Sequence, residues 1–349
     1  MNGKKFAKFS ISLTLVLLIL VGAFQIVIDP LFQYHQPWFG LKPVVTDERY
    51  HNPGIAKTFD YDNVVLGNSM SENFYISDVD DVFGGNSVKL TMSGSGCYEW
   101  SYLLEIIKDR KPKNILINID PLVFERPSNE FRFEIPYYLY DSNLLNDVNY
   151  LFNFSIINSF TQNSIYQNYN STVPDFNRVY SWYDGTDFSK EVVLENYVRS
   201  DINRIINTNE ISDYQKNITK NFSLLTPYFQ LMPDTNFVFY FSPYSMLFWD
   251  NEKRKNCLEK QNAGFLRACE ILTSFDNVEL YLWEDNEMLK IMSDLNNYKD
   301  YRHYSEDINK VILKRVKQKN GLINKSNYLN KVKILFQYFK NYNYDDLFI

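Results

Sequence analysis

Two short stretches hold residue types that together can perform acyl-transfer chemistry. In DNVVLGNSMSENF, residues 62–74, an apolar run ends in Gly67, Asn68 and Ser69. A serine on a Gly-containing turn after a buried strand is one way to present a nucleophile. Ser and Asn are also favoured helix N-caps, and this stretch alone reads at least as well that way. In NNYKDYRHYS, residues 296–305, Asp300 precedes His303 by three positions. A serine hydroxyl attacks poorly unless a base takes its proton and a third group orients that base. On a turn or in a first helical turn, the D-x-x-H spacing lets a carboxylate reach the imidazole Nδ1–H, fixing its tautomer. By itself D-x-x-H also reads as a surface turn before a helix. Of the three histidines, His35, His51 and His303, only the last lies beyond the lead-in to the folded domain.

Whatever positions these residues must be built from the apolar runs. Five are short, rich in β-branched and aromatic residues, and read as buried parallel strands: 63–66, 87–92, 114–119, 236–242 and 278–283. Helical patterns lie between them at 97–109, 252–274 and 305–318, so strand and helix alternate. The expectation is a three-layer α/β domain with a five-stranded parallel sheet over 61–120 and 236–318. Residues 121–235, rich in Tyr, Asn and Phe, interrupt the alternation and read as an inserted helical and aromatic cap, with helices at 142–160, 189–207 and 210–230. The lead-in 29–60 reads as irregular, with Pro30, Pro37, Pro43 and Pro53. The tail 319–349 contains one amphipathic helix, 327–341, expected to pack on the domain rather than lie on a membrane.

Open α/β sheets bind ligands at the carboxyl ends of their strands. The first run is followed by Gly67-Asn68-Ser69. After the second comes Ser93-Gly94-Ser95-Gly96, a turn able to offer backbone N–H groups. Asp120 follows the third, Tyr244 the fourth, and the Asp300/His303 stretch the fifth. Each strand thus delivers a polar or special-backbone group to one edge.

The N-terminus sets the compartment. Lys4, Lys5 and Lys8 precede an uncharged apolar run, 9–28, which Asp29 follows. About 20 apolar residues span a bilayer core, and the lysines put residues 1–8 on the cytoplasmic side. The expected arrangement is a single-pass membrane anchor with everything after residue 28 extracytoplasmic. A signal peptide cleaved near Val21-Gly22-Ala23 is the competing reading, although the apolar run continues past that point. A net charge of −6 argues against nucleic acid as a partner. Cys97, Cys257 and Cys269 show no CxxC spacing. The last two fall about 18 Å apart if they share one helix, too far for a disulfide. No His, Asp or Glu cluster has metal-ligand spacing, so neither metal nor cofactor is expected.

GNSMS after the first strand, the Gly turn after the second and DYRH before the last helix resemble the SGNH/GDSL hydrolase-like superfamily. The anchor, KLTMSGSGCYEW, PYYLYD, FSPYSMLFW and NNYKDYRHYS look like a membrane-anchored bacterial branch. That branch resembles the extracytoplasmic partners of membrane-bound O-acyltransferases in alginate acetylation and teichoic-acid D-alanine transfer. The resemblance implies a flavodoxin-like sheet, Ser69 as nucleophile, His303 as base and Asp300 as its orienter. It also implies an oxyanion hole from the N–H groups of Ser69 and Gly94, or Gly96 by turn geometry. Where the family's third block carries GxND, this chain reads INIDP. Asn118 and Asp120 share a strand face there. An ionised Asp120 cannot donate to an oxyanion, but it can bind an acceptor hydroxyl.

The function this implies is serine-dependent O-acyl transfer or ester hydrolysis on a cell-surface glycan, beside a polytopic O-acyltransferase. The aromatic residues Trp182, Tyr244 and Trp249 are expected to keep water out. The alternative is a non-catalytic glycan-binding or scaffold partner of such an acyltransferase. A secreted lipase or deacetylase would differ only in acceptor.

Overall fold

The computed structural model describes residues 3–200 and 208–349. It divides into two compact units, Met1–Asp60 with Glu134–Val179, and Tyr61–Phe133 with Tyr180–Ile349. The expected insert 121–235 is therefore split: 134–179 goes with the N-terminal unit and 180–235 with the sheet.

The larger unit is α/β. Its strands are β1 (Asn63–Gly67), β2 (Ser87–Thr91), β3 (Asn114–Ile119), β4 (Asn236–Phe241), β5 (Val278–Tyr281) and β6 (Leu322–Ile323), in the order β2-β1-β3-β4-β5-β6. The first five are parallel. β6 pairs antiparallel with β5 through Leu280↔Ile323 and Tyr281↔Leu322. The sheet is thus six-stranded and mixed, not the five-stranded parallel sheet expected. A parallel strand covered on both faces needs an almost continuous apolar run, and β1 and β2 are buried throughout. At the amino edge Asn63, Asn114 and Asn236 stand in register. The Asn114 side-chain amide donates to Asn63 Oδ1 at 2.8 Å, and that of Asn236 to Asn114 Oδ1 at 3.4 Å. Just before β5, the Asn277 amide donates to the carbonyls of Phe229, Met232 and Thr235 at 2.9, 3.1 and 3.2 Å.

The helical pattern 252–274 resolves into two helices, Met246–Arg254 and Leu258–Leu272, broken where Asn256 takes φ +57°. Asn tolerates that left-handed conformation better than most residues. The stretch 210–230 likewise forms Thr208–Ser223 and Thr226–Leu231, with Pro227 in the first turn of the second. Of the pattern 189–207, Lys190–Glu195 is helical, started by the Ser189 hydroxyl accepting from the Val192 N–H; residues 201–207 lie outside those described. The tail helix Tyr328–Asn341 buries Val332, Leu335, Phe336 and Phe339, and Phe339 stacks on Trp249 with ring centroids 3.9 Å apart. It packs on the domain, and Trp249 is a core residue. The three cysteines are buried, and none is in a disulfide.

The smaller unit begins with the helix Gly3–Ile28, long and apolar enough to cross a membrane. Its last turns are built into the unit. Gln25 Oε1 accepts from the Thr161 hydroxyl at 2.7 Å. Asp29, 1% exposed, accepts from the backbone N–H groups of Gln33, Tyr34 and His35 and from the Tyr150 hydroxyl. The lead-in is less irregular than its prolines suggest. It contains the helix Glu48–Thr58, capped by the Asp47 carboxylate accepting from the N–H groups of Arg49 and Tyr50. The expected helix 142–160 is a series of short pieces, Val148–Leu151, Phe154–Ile156 and a wide turn at Ile157–Thr161, before Gln162–Tyr169.

Candidate active site

Ser69 does not cap a helix. The next helix begins seven residues later, at Ile76. Ser69 stands on an irregular turn that a buried amide network holds under β1 and β3. Asn118 Oδ1 accepts from the Asn68 backbone N–H at 3.1 Å and from the Ser71 hydroxyl at 3.0 Å. The Asn118 amide donates to Asn68 Oδ1 at 3.1 Å and to Ser242 Oγ at 3.3 Å. Asn68 Oδ1 also accepts from the Met70 N–H, so one side chain bridges the start of the turn and the next strand. Glycine is needed at 67, because a Cβ there would fall 2.3 Å from Asn118 Oδ1.

His303 reaches Ser69 from the far end of the chain. The loop carrying it is closed by an antiparallel bridge between Tyr298 and Tyr304, with the Lys299 N–H donating to the His303 carbonyl at 3.0 Å. Both tyrosines are buried, and both anchor the loop. Tyr298 donates its hydroxyl to the Pro243 carbonyl after β4 at 2.7 Å, and Tyr304 to the Met70 carbonyl beside Ser69 at 3.2 Å.

Within that clamp His303 Nε2 lies 3.0 Å from Ser69 Oγ, and His303 Nδ1 lies 2.7 Å from Asp300 Oδ2. The other carboxylate oxygen accepts from the backbone N–H groups of Arg302 and His303 at 2.8 and 2.9 Å. Burial pushes the Asp300 carboxyl up, but the hydrogen bond and charge of His303 and the two N–H donors outweigh it and hold it at about 2. An ionised carboxylate only accepts, so Nδ1 carries the imidazole proton and Nε2 is left to accept from the serine hydroxyl.

The turn after β2 places Gly94 at φ +69°. The N–H groups of Ser69 and Gly94 have no acceptor among the described residues. Gly96 does not share that role, since its N–H donates to Glu99 Oε2 at 3.0 Å in a helix-capping contact. Asn118 is likewise no oxyanion donor, because both its donor contacts are internal. Asp120, 6% exposed, accepts from the Asn68 amide at 3.2 Å and so helps hold the elbow. Tyr244 is wholly buried beside Asp120 and presents nothing to a substrate.

Trp182, expected only as a water-excluding ring, is tied to the site directly. Its Nε1–H donates to the Ser69 carbonyl at 3.0 Å, and its ring meets that of His303 edge to face at 5.4 Å. Asn73 Oδ1 fixes it by accepting from the Trp182 N–H at 3.1 Å and the Ser181 hydroxyl at 3.0 Å. Lys299 Nζ lies 3.6 Å from the centre of the Trp182 ring. Asn73, Lys299 and the two clamping tyrosines escaped the sequence reading. The tyrosines had a signal, since they flank K-D-Y-R-H symmetrically; Asn73 had none.

No metal-competent group of His, Cys, Asp and Glu occurs among the described residues. No protein-family model matches the chain, and a search of curated proteins finds no relative.

Proposed function

We propose that this chain is a membrane-anchored serine esterase or O-acyltransferase of SGNH type, acting outside the cytoplasm on the hydroxyls of a surface glycan. The observation that carries the reading is the relay Ser69 Oγ to His303 Nε2 to Asp300, with spacings of 3.0 and 2.7 Å, at the carboxyl edge of a largely parallel sheet. As Ser69 Oγ attacks an acyl carbonyl, His303 Nε2 takes its proton, and the carbonyl oxygen gains the negative charge. The N–H groups of Ser69 and Gly94 receive that charge, each such donor contributing about 3 kcal/mol in comparable sites. Collapse of the intermediate breaks the bond to the leaving alkoxide, which collects the proton from His303. An acceptor hydroxyl, or water, then gives its proton to the same nitrogen and takes the acyl group from Ser69, whose departing oxygen recovers that proton from His303. Transfer is favoured over hydrolysis to the extent that water is excluded, and Trp182 stands where it can do this.

The anchor supports the compartment. Gly22, at the point where a leader would be cut, is buried in the folded unit beside Phe152, as expected of a retained helix rather than of a cleaved leader. The resemblance then points to a polytopic O-acyltransferase as partner. A second reading, a non-catalytic glycan-binding or scaffold partner, draws on the third strand. Its Asn118 amide is engaged and Asp120 replaces a neutral donor, leaving two backbone N–H groups at the hole.

Fluorophosphonate labelling of the protein tests the first reading, with an aryl-acetate assay alongside. Labelling should be lost in Ser69→Ala and His303→Ala, and ester turnover should fall by about 10⁶-fold in each. Failure of the wild type to label, where a control serine esterase reacts, leaves the scaffold reading in its place.

A further inference from the structure

The apolar run 9–28 matches the hydrocarbon thickness of a bilayer, about 30 Å at helical rise. Its outer end, however, is not free. Gly22 and Gln25 are buried in the smaller unit, and a Cβ on Gly22 would lie 3.3 Å from the Phe152 ring. Gly22 is seven residues inside Asp29, about 10 Å along the helix axis. A side chain touching Gly22 therefore lies at hydrocarbon depth whenever 9–28 spans. Sliding the helix outward until the unit cleared the bilayer would leave only residues 9–21, about 20 Å, to span it. It would also drag Lys4, Lys5 and Lys8 into the hydrocarbon.

The surface around Gly22 suits immersion. In a chain that is 22% charged, residues 148–174 carry no charged side chain. Val148, Phe152 and Phe154 are 55%, 40% and 77% exposed. Across the helix end, His35 Nε2 lies 2.7 Å from the Ile26 carbonyl, and its ring stacks on the half-exposed Trp38, a residue type that favours the membrane interface. Two acceptors near this depth have internal partners, Gln25 Oε1 with Thr161 and Asp29 with its four donors, while Gln25 Nε2 has none among the described residues.

We propose that the segment Val148–Phe154 is seated in the lipid leaflet where the anchor ends, as a foot around the helix. This rests on the anchor reading, and the test separates the two. Single nitroxide labels go on the full-length protein in lipid nanodiscs at Leu15→Cys, Val148→Cys, Phe154→Cys and Lys325→Cys. The buried native thiols set the background measured on wild type. Positions 148 and 154 should collide with oxygen as position 15 does, and should collide with a water-soluble nickel chelate several-fold less than position 325. If 148 and 154 behave like 325 while 15 is shielded, the foot is wrong and the anchor stands. If 15 is itself open to the chelate, both fail.

Discussion

At the amino edge of the sheet Asn63, Asn114 and Asn236 bond to one another across neighbouring strands, whereas at the carboxyl edge Asn68 and Asn118 bond to the turn that carries Ser69. The residue type is the same, and so is its ability to donate and accept at once. At the first edge both capacities go to pairing the strand starts and to the nearby loop, as when the Asn63 amide donates to the Gly84 carbonyl at 2.7 Å. At the second edge the same capacities go to holding the turn, and the N–H groups of Ser69 and Gly94 find no acceptor among the described residues. One edge is closed upon itself and the other is held open by its own scaffolding. A parallel sheet makes such an asymmetry available, because all its strands end on the same side.

That contrast can be broken in graded steps. The largest effect in this series is expected from Asp300→Asn, which keeps the shape but reverses the hydrogen-bonding preference at His303 Nδ1. Ester turnover should drop by about 10⁴-fold. A loss of less than tenfold would show that His303 does not need this partner. The same pair has a pH signature. The folded carboxyl, held at about 2, lies below its unfolded value of about 3.9. Its contribution to stability is therefore present above about pH 4 and lost as the pH falls through 2. The gap in melting temperature between wild type and Asp300→Asn should stay level from pH 7 to about pH 4 and close below it. A gap that closes well above pH 4 would show that the Asp300 carboxyl does not set it.

The next step compares the two asparagines of β3. Asn118→Ala frees the Asn68 N–H and the Ser71 hydroxyl beneath the serine turn, and should slow turnover by about 10²-fold, the scale of an ångström's misplacement. Asn114→Ala should cost about 1 kcal/mol of stability, the size of a lost hydrogen bond, with kcat/KM unchanged. Equal effects on turnover from the two substitutions would remove the distinction between the edges.

The sequence made the five parallel strands legible, because burial on both faces demands unbroken apolar runs such as NVVL and NILINI. It hid β6, whose two residues are too few to display any periodicity. The break at Asn256 was also concealed, since a single residue at positive φ leaves the apolar spacing on either side intact. At the site, Ser69, Asp300 and His303 stood out because a reactive side chain advertises itself by type and spacing. What Asn118 and Gly96 do was not readable. Whether an amide faces a substrate or a neighbour depends on residues such as Asn68 and Glu99 that only folding brings alongside. The split of 121–235 was hidden for a related reason, since segment boundaries in sequence do not reveal which core each side belongs to.

Ser69 and His303 are 234 positions apart. A chain that emerges amino end first exposes its serine long before the residue that activates it exists, and the Tyr298 and Tyr304 anchors need β1 and β4 already in place. On the proposed reading the serine is thus unarmed through most of synthesis, and its reactivity would arrive with one of the last loops to dock.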